Sequence, residues 1–193
     1  YSTIQTAMLL KAVETLGVKR VIVSTYQAVI GSGRNGLNDL SRTQKRKKPL
    51  FYPYSIADNC IPQIDKFSND GYTYEEEKMI SETKKIIGIN LTATCVRVPI
   101  KNTHAVCMNI EFENDYDIED VKKRLKTFPT IKYFEEYPVN EIADGHDYCY
   151  VGRGRRDFSN KNSLHLWCVA DNIRKGAAIN AIQILERIIK EKL

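Results

Sequence analysis

A chain of 193 residues with 42% apolar and 27% charged content has the makings of a single globular domain with its own core. It contains no apolar run long enough to cross a bilayer and no leader-like start, and a net charge of +5 is too modest to mark a nucleic-acid binder by itself. The expected compartment is the cytoplasm. Five cysteines, at 60, 95, 107, 149 and 168, form an odd, widely spaced set with no Cys-x-x-Cys pair. That argues against a disulfide framework and against a structural zinc site.

The chain opens Tyr1-Ser2-Thr3-Ile4-Gln5, without an initiator methionine, and passes at once into an amphipathic segment. Ile4, Met8, Leu9, Leu10, Ala12, Val13 and Leu16 recur at helical spacing, predicting a helix over residues 3–16 that Gly17 closes. Residues 20–26 are rich in Val and Ile and predict a mostly buried strand. A glycine-rich turn follows, then a polar and basic stretch to residue 49, then an irregular segment over 50–71 punctuated by Pro53, Pro62 and Gly71. Thr73 and Glu76 make a capping box for the next helix, which ends at Gly88 and turns Met79, Ile80, Thr83, Ile86 and Ile87 inward.

Residues 91–99 and 104–112 predict two strands joined by the short turn Lys101-Asn102-Thr103. Asp117 to Lys126 predicts a helix with Ile118, Val121 and Leu125 facing the core, and residues 147–152 and 163–169 two more strands. A long final helix begins near Asp171 and carries Ile173, Ala177, Ala181, Ile184, Leu185 and Ile188 on one stripe. The economical assembly is an α+β domain: a mainly antiparallel or mixed sheet with helices packed on one face.

Four groups of residues have chemical potential. Gly31-Ser-Gly33-Arg-Asn-Gly36 has the Gly-x-Gly-x-x-Gly spacing of a dinucleotide loop and follows a predicted strand. Asn38 and Asp39 interrupt the start of any helix there, and no acidic residue ends a second strand to hold a ribose, so a loop using positive φ angles is the plainer reading. The basic run Arg42 to Lys48 is ordinarily a solvated loop, with a phosphate-binding patch as the minority reading. Glu82 and Lys85, three apart on the capped helix, lie one turn from each other; such a pair is usually a surface ion pair, though Glu82 borders the apolar stripe. Arg97 interrupts the apolar strand Thr94-Cys-Val-Arg-Val-Pro99 and must find an anion or an edge. His104 opens the next strand, so both could reach one cleft, where a histidine suits acid–base work.

These pieces occur in one order. Ser2-Thr-Ile-Gln5, Ser24-Thr-Tyr-Gln-Ala-Val29, Ile61-Pro-Gln-Ile-Asp65, Glu82-Thr-Lys-Lys85, Cys95-Val-Arg-Val-Pro99 followed by His104, Val151-Gly-Arg-Gly-Arg-Arg-Asp157 and the run Val169 to Ala178 together resemble aspartate-semialdehyde dehydrogenases of the bacterial type, from their nucleophilic cysteine to the C-terminus. The resemblance implies NADPH-dependent conversion of L-aspartyl 4-phosphate to L-aspartate 4-semialdehyde, in lysine, threonine and methionine biosynthesis. It also implies a fold like the C-terminal domain of glyceraldehyde-3-phosphate dehydrogenase and a homodimer, with no part for nucleic acid, membrane or metal.

By the same resemblance Gln27 would orient the substrate, Glu82 meet its ammonium, Lys85 its phosphate, Arg97 its α-carboxylate, and His104 would move the proton. Gly31 and Ile30, the latter in place of the usual serine, would line the NADP site, with Asn172 near the nicotinamide. Tyr1 falls at the position of the family's cysteine. A phenol with a pKa of about 10 is mostly protonated at neutral pH and cannot give a reducible thioester.

The expectation is that residues 1–193 form the substrate-binding and dimerisation domain without the family's upstream Rossmann domain, hold NADP weakly and do not turn over alone. A paralogue without the nucleophile, acting as an interaction or regulatory protein, is the alternative. An oligonucleotide or phosphate binder acting through residues 42–48 is a third reading.

Overall fold

Alternating burial along Val18–Gln27 (β1) sends Val21, Val23, Thr25 and Gln27 to one face of a sheet and leaves Ile22 and Tyr26 on the other. In the computed structural model, which describes residues 1–192, that strand lies inside a six-stranded sheet. The others are β2 (Leu91–Arg97), β3 (Thr103–Phe112), β4 (Ile131–Tyr133), β5 (Cys149–Arg156) and β6 (Ser163–Asp171), in the order β2-β1-β3-β6-β5-β4. The β1–β2 and β4–β5 pairs are parallel and the other three antiparallel, so the sheet is mixed, as the sequence predicts.

One face of the sheet carries the main core. Val106, Met108, Ile110 and Phe112 of β3 and Leu164, Leu166 and Cys168 of β6 meet Leu9, Leu10 and Val13 of helix α1 (Ser2–Val13). Met79 of α3 (Tyr74–Ile87) and Val121 and Leu125 of α4 (Ile118–Thr127) complete it. Each fully buried aliphatic side chain there contributes about 1.5–3 kcal/mol. A smaller cluster on the opposite face is built by Ala105, Tyr150 and Val169 with Ala143 of the one-turn helix α5 (Asn140–Ala143). Strand β4 and helix α5 are too short to leave a periodic signal and are not predicted.

The strands β2 and β3 follow one another in the chain but do not pair with each other, because β1 lies between them. The connection from Val98 to Asn102 instead crosses the C-terminal end of β1. There Val98 N–H donates to Gln27 O, Val29 N–H to Ile100 O and Ile30 N–H to Lys101 O. This crossing brings the ends of β1 and β2 and the start of β3 together. On its outer side β2 is met by the loop at Ile61, whose N–H donates to Arg97 O and whose carbonyl accepts from Arg97 N–H.

Residues Gly33–Gln44 form a helix, α2, where the sequence reading expects a loop. Asp39, expected to block it, sits inside α2 and is buried, with its carboxylate turned away from the helix backbone. It accepts N–H groups from Leu50 at 2.8 Å, Phe51 at 2.8 Å and Tyr52 at 2.9 Å, and so ties the following loop to the helix. Leu40 packs with Val29, Ile56 and Ile61 in a separate small core. Gly36 allows this contact, because a Cβ there would lie 2.2 Å from Val29 O. The basic run is also tied down, by Arg42 donating to Lys48 O and by an Arg46–Asp58 ion pair.

Helix α3 has the predicted capping box, with Thr73 Oγ1 accepting from Glu76 N–H and Glu76 Oε2 from Thr73 N–H. Its buried stripe is Glu76, Met79 and Thr83, which turns Ile86 out to solvent, contrary to the sequence reading. The last predicted helix is divided into a π-helical turn, Arg174–Ala178, and α6, Ile179–Lys192. Ile173, Ile182, Ile184, Leu185, Ile188 and Ile189 along it are exposed. Among the described residues no helix is long and apolar enough to cross a membrane.

Asp39→Ala leaves three backbone donors without their charged acceptor and is expected to cost about 3 kcal/mol in urea unfolding at pH 7. Burial opposes ionisation of Asp39, but the three N–H donors and Arg42 outweigh it and hold its pKa below the usual value. The carboxylate therefore stabilises the fold fully above its ordinary pKa of about 4, and that stability is lost as pH falls through the depressed value. The difference between variant and parent should narrow on acidification; equal midpoints at pH 7 would remove Asp39 from this role.

Candidate active site

Because β1 and β2 are parallel, Gln27 and Arg97 end their strands side by side in register. Because β3 runs antiparallel to β1, its first residues return to the same end of the sheet, bringing His104 there. Strand β6 is antiparallel to β3 and ends beside it, with Ala170 opposite His104 and Asp171 opposite Thr103, so Asn172 follows at the same place. Asp171 fixes the exit of β6, accepting from Asn102 Nδ2, Gly145 N–H and Arg174 N–H.

Arg97 is only 5% exposed, and burial pulls its pKa below the ordinary value. Its Nη1 donates to Ala28 O at 2.6 Å, and among the described residues no carboxylate forms an ion pair with it. A buried guanidinium with unused donors suits a carboxylate or phosphate ligand. Gly31 leaves the space for it, since a Cβ at Gly31 would lie 2.9 Å from Arg97 Nη1. Ile30, half-buried, adjoins it in the turn Val29–Ser32.

His104 is 2% exposed. Its Nδ1 accepts the Ala28 N–H at 3.0 Å, whereas Nε2 is buried without a protein partner. Burial, then the charge of Arg97, holds its pKa well below the ordinary histidine value. The ring meets Tyr1 edge-on, centroids 6.5 Å apart. Tyr1, Gln5, His104, Asn172 and Gly176 line a narrow crevice. The small residue at 176 matters here, because a Cβ would come within 3.3 Å of Tyr1 Cβ and 3.4 Å of Asn172 Oδ1. Asn172 is itself buried, with Oδ1 unpartnered. Of the cysteines, Cys95 has its thiol pushed up to about 12 by burial and Cys168 stands well above its ordinary value, so neither offers a thiolate.

On α3, Glu75 reaches this group of residues and Lys78 pairs with Glu75. Glu75 Oε1 accepts from Gln27 Nε2 at 3.3 Å, and its Oε2 pairs with Lys78 Nζ at 3.3 Å. Glu75, opposed by partial burial, raises the pKa of the exposed Lys78. Glu76 anchors this turn: besides closing the capping box it accepts the Cys95 N–H of β2 at 2.8 Å.

Residues 9–175 match the family described as the semialdehyde dehydrogenase dimerisation domain. The chain belongs to that family. Aspartate-semialdehyde dehydrogenase of Aquifex aeolicus is 42% identical over 208 residues, covering 100% of this chain and 61% of the relative. A crystal structure of aspartate semialdehyde dehydrogenase II from Vibrio cholerae superposes with a TM-score of 0.94 at 40% identity, over 100% of this chain and 61% of that one. The same Vibrio cholerae protein complexed with ASA gives a TM-score of 0.93 at 39% identity, again over 100% and 61%. The chain spans about three fifths of the length of the curated relatives it matches.

Within this semialdehyde dehydrogenase domain, Gln27, Arg97 and His104 gather at one end of the sheet, with Gly31, Ile30, Asn172 and Tyr1 around them. Glu82 and Lys85, expected from the sequence to meet the ammonium and the phosphate, make no hydrogen bond or ion pair with Gln27, Arg97 or His104 among the described residues. Glu82 accepts a hydrogen bond from Thr3 Oγ1 at 2.7 Å, where α1 meets α3. Lys85 is exposed and makes no ion pair or side-chain hydrogen bond among the described residues.

The same Glu-x-x-Lys spacing recurs at Glu75 and Lys78, about two turns earlier. Chain direction held the signal. A short link joins α3 to β2, so the two run oppositely, and the first turn of α3 rather than its last lies over the end of β2 where Arg97 sits.

Glu76→Ala removes two acceptors and is expected to destabilise the fold by about 3 kcal/mol, with Glu76→Gln, which keeps one acceptor, falling between. Denaturant midpoints for the three proteins check the order, and indistinguishable midpoints would dissociate Glu76 from the placement of α3.

Proposed function

We propose that this site binds an amino-acid acyl phosphate or the corresponding aldehyde, as the substrate-binding and dimerisation domain of an NADP-dependent aspartate-semialdehyde dehydrogenase. The observation that carries this is a buried Arg97 without a carboxylate partner, beside a Glu75–Lys78 pair and a histidine with a free buried nitrogen. Aspartyl phosphate carries an α-carboxylate, an α-ammonium and a phosphate. Arg97 takes the carboxylate in two-pronged fashion, Glu75 the ammonium, and Lys78 the phosphate, with Gln27 holding the chain between them. Dividing opposite charges among fixed partners orients the substrate before any bond changes.

The His104 ring lies beside position 1, where the acyl carbon would lie, and its unpartnered Nε2 can hold or pass a proton at its oxygen. Gly31 and Ile30 at the rim and the unpaired Oδ1 of Asn172 fit a nicotinamide nucleotide, with Oδ1 ready for a carboxamide N–H. When bound, that cofactor supplies or accepts the hydride. Tyr1 has no thiol to carry the acyl group, so turnover is not expected of this chain.

The proposed dimer uses the sheet face away from α1, where Ile22 and Tyr26 are exposed and the Tyr26 ring lies tilted against Trp167, centroids 5.5 Å apart. Tyr137, Val139 and Ile142 extend the same apolar surface. This area resembles the core of an interface more than a solvated sheet.

Titration of the chain with L-aspartate 4-semialdehyde, followed calorimetrically, is expected to show saturable binding that Arg97→Leu abolishes and Glu75→Gln weakens by about 10-fold, the scale of one charged hydrogen bond. Glu82→Gln and Lys85→Ala should leave it within about 2-fold. Binding indifferent to Arg97 would end this reading. Phosphate, NADP and semialdehyde together should give no NADPH.

Sedimentation is expected to show a dimer that Tyr26→Asp with Trp167→Glu converts to monomer. A parent already monomeric at about 100 μM would refute the interface.

A further inference from the structure

Two polar groups of the site converge on one residue that has no polar side chain. The Ala28 carbonyl accepts from Arg97 Nη1 and the Ala28 N–H donates to His104 Nδ1. Ala28 is fully buried, and its φ of −66° and ψ of 152° are ordinary extended values, so this double engagement requires no backbone strain. We propose that the Ala28 backbone couples Arg97 to His104: Arg97 fixes Ala28, and Ala28 in turn fixes His104 as the neutral Nε2–H tautomer, presenting a hydrogen-bond donor to the substrate. Arg97 is thus a positioning residue for the histidine as well as a ligand for the carboxylate. This rests on the reading of the site given above and deepens it.

The chemistry is a matter of counting protons. A neutral imidazole has one N–H, and a ring nitrogen that accepts a hydrogen bond cannot carry it. With Nδ1 committed to the Ala28 N–H, the proton is on Nε2, the nitrogen that is buried without a protein partner. Protonating Nδ1 would set two N–H groups against each other and leave the buried Ala28 donor unpaired.

The charged groups around the ring oppose the imidazolium as well. Arg97 approaches from β2, and Lys175 lines the same crevice from the turn after β6. Asp171, the anion of that crevice, already receives Asn102, Gly145 and Arg174. In this state His104 stabilises negative charge on an acyl oxygen through Nε2–H, and cannot take a proton at that atom until the Ala28 contact is broken. A ligand that draws Arg97 away from Ala28 O would loosen that contact. Occupancy of the carboxylate site would then be felt at the histidine.

The test uses the unliganded chain with 15N-labelled histidine, so that its outcome is independent of whether semialdehyde binds. Long-range proton–nitrogen spectra are expected to show Nδ1 of His104 pyridine-like and Nε2 pyrrole-like from about pH 5 to 8, the range in which an ordinary histidine titrates. A through-hydrogen-bond coupling between Ala28 N–H and Nδ1 should accompany them. A mixture of tautomers, or an imidazolium at pH 6, overturns the proposal.

Arg97→Met should shift both nitrogens toward the average of the two tautomers. Gly31→Ala separates hydrogen bond from charge, because its Cβ would displace the guanidinium from Ala28 while leaving the charge nearby. It should produce the same shift, and spectra unchanged in both variants would remove Arg97 from the relay. Should Arg97→Met fail to fold, the Gly31→Ala spectrum decides alone.

Discussion

A positive charge lies almost fully buried at the end of β2 with a single backbone carbonyl to answer it. An unpaired buried charge costs several kcal/mol, which other parts of the domain must offset. The compensation is visible in the structure: the strand crossing at Val98 to Asn102 saturates the backbone around Arg97, and the large core beneath the sheet supplies the stability. Such a site suits the proposed recognition of an anion, since a bound anion would pair the charge that the fold leaves unpaired.

Much of the architecture is legible in the residue pattern because local rules and packing agree there. Gly17 and Gly88 end helices with φ of 75° and 71°, and Thr73 with Glu76 opens one, as their residue types demand. The mixed sheet with its helices follows from the same periodicities. Where the pattern misleads, a side chain has a long-range partner. Asp39 reads as a helix breaker because an aspartate normally competes for its own backbone. Its carboxylate serves the backbone of Leu50, Phe51 and Tyr52 instead, and the helix continues undisturbed.

The site follows the same logic. Arg97 and His104 are conspicuous because a charge and an imidazole within apolar strands need a reason. The carboxylate and ammonium that the proposal takes from α3 are harder to place, since Glu75–Lys78 and Glu82–Lys85 share one spacing and differ only in which end of the helix they occupy. Spacing alone does not distinguish them, whereas the antiparallel relation of α3 and β2 puts Glu75 within hydrogen-bond reach of Gln27. The glycines at 31 and 36 are likewise explained by close neighbours in space: one makes room for Arg97, far along the chain, the other for Val29 O.

The antiparallel bridge between Ile61 and Arg97 has a further consequence. Strand β2 borders the sheet, and an open border invites another chain to add itself as an extra strand. At Arg97 that vacancy is filled from within, by a loop otherwise poor in regular structure. The residue proposed to hold the ligand through its side chain is therefore also paired through its main chain, and at that position the outermost strand offers no open hydrogen-bonding edge to templated aggregation.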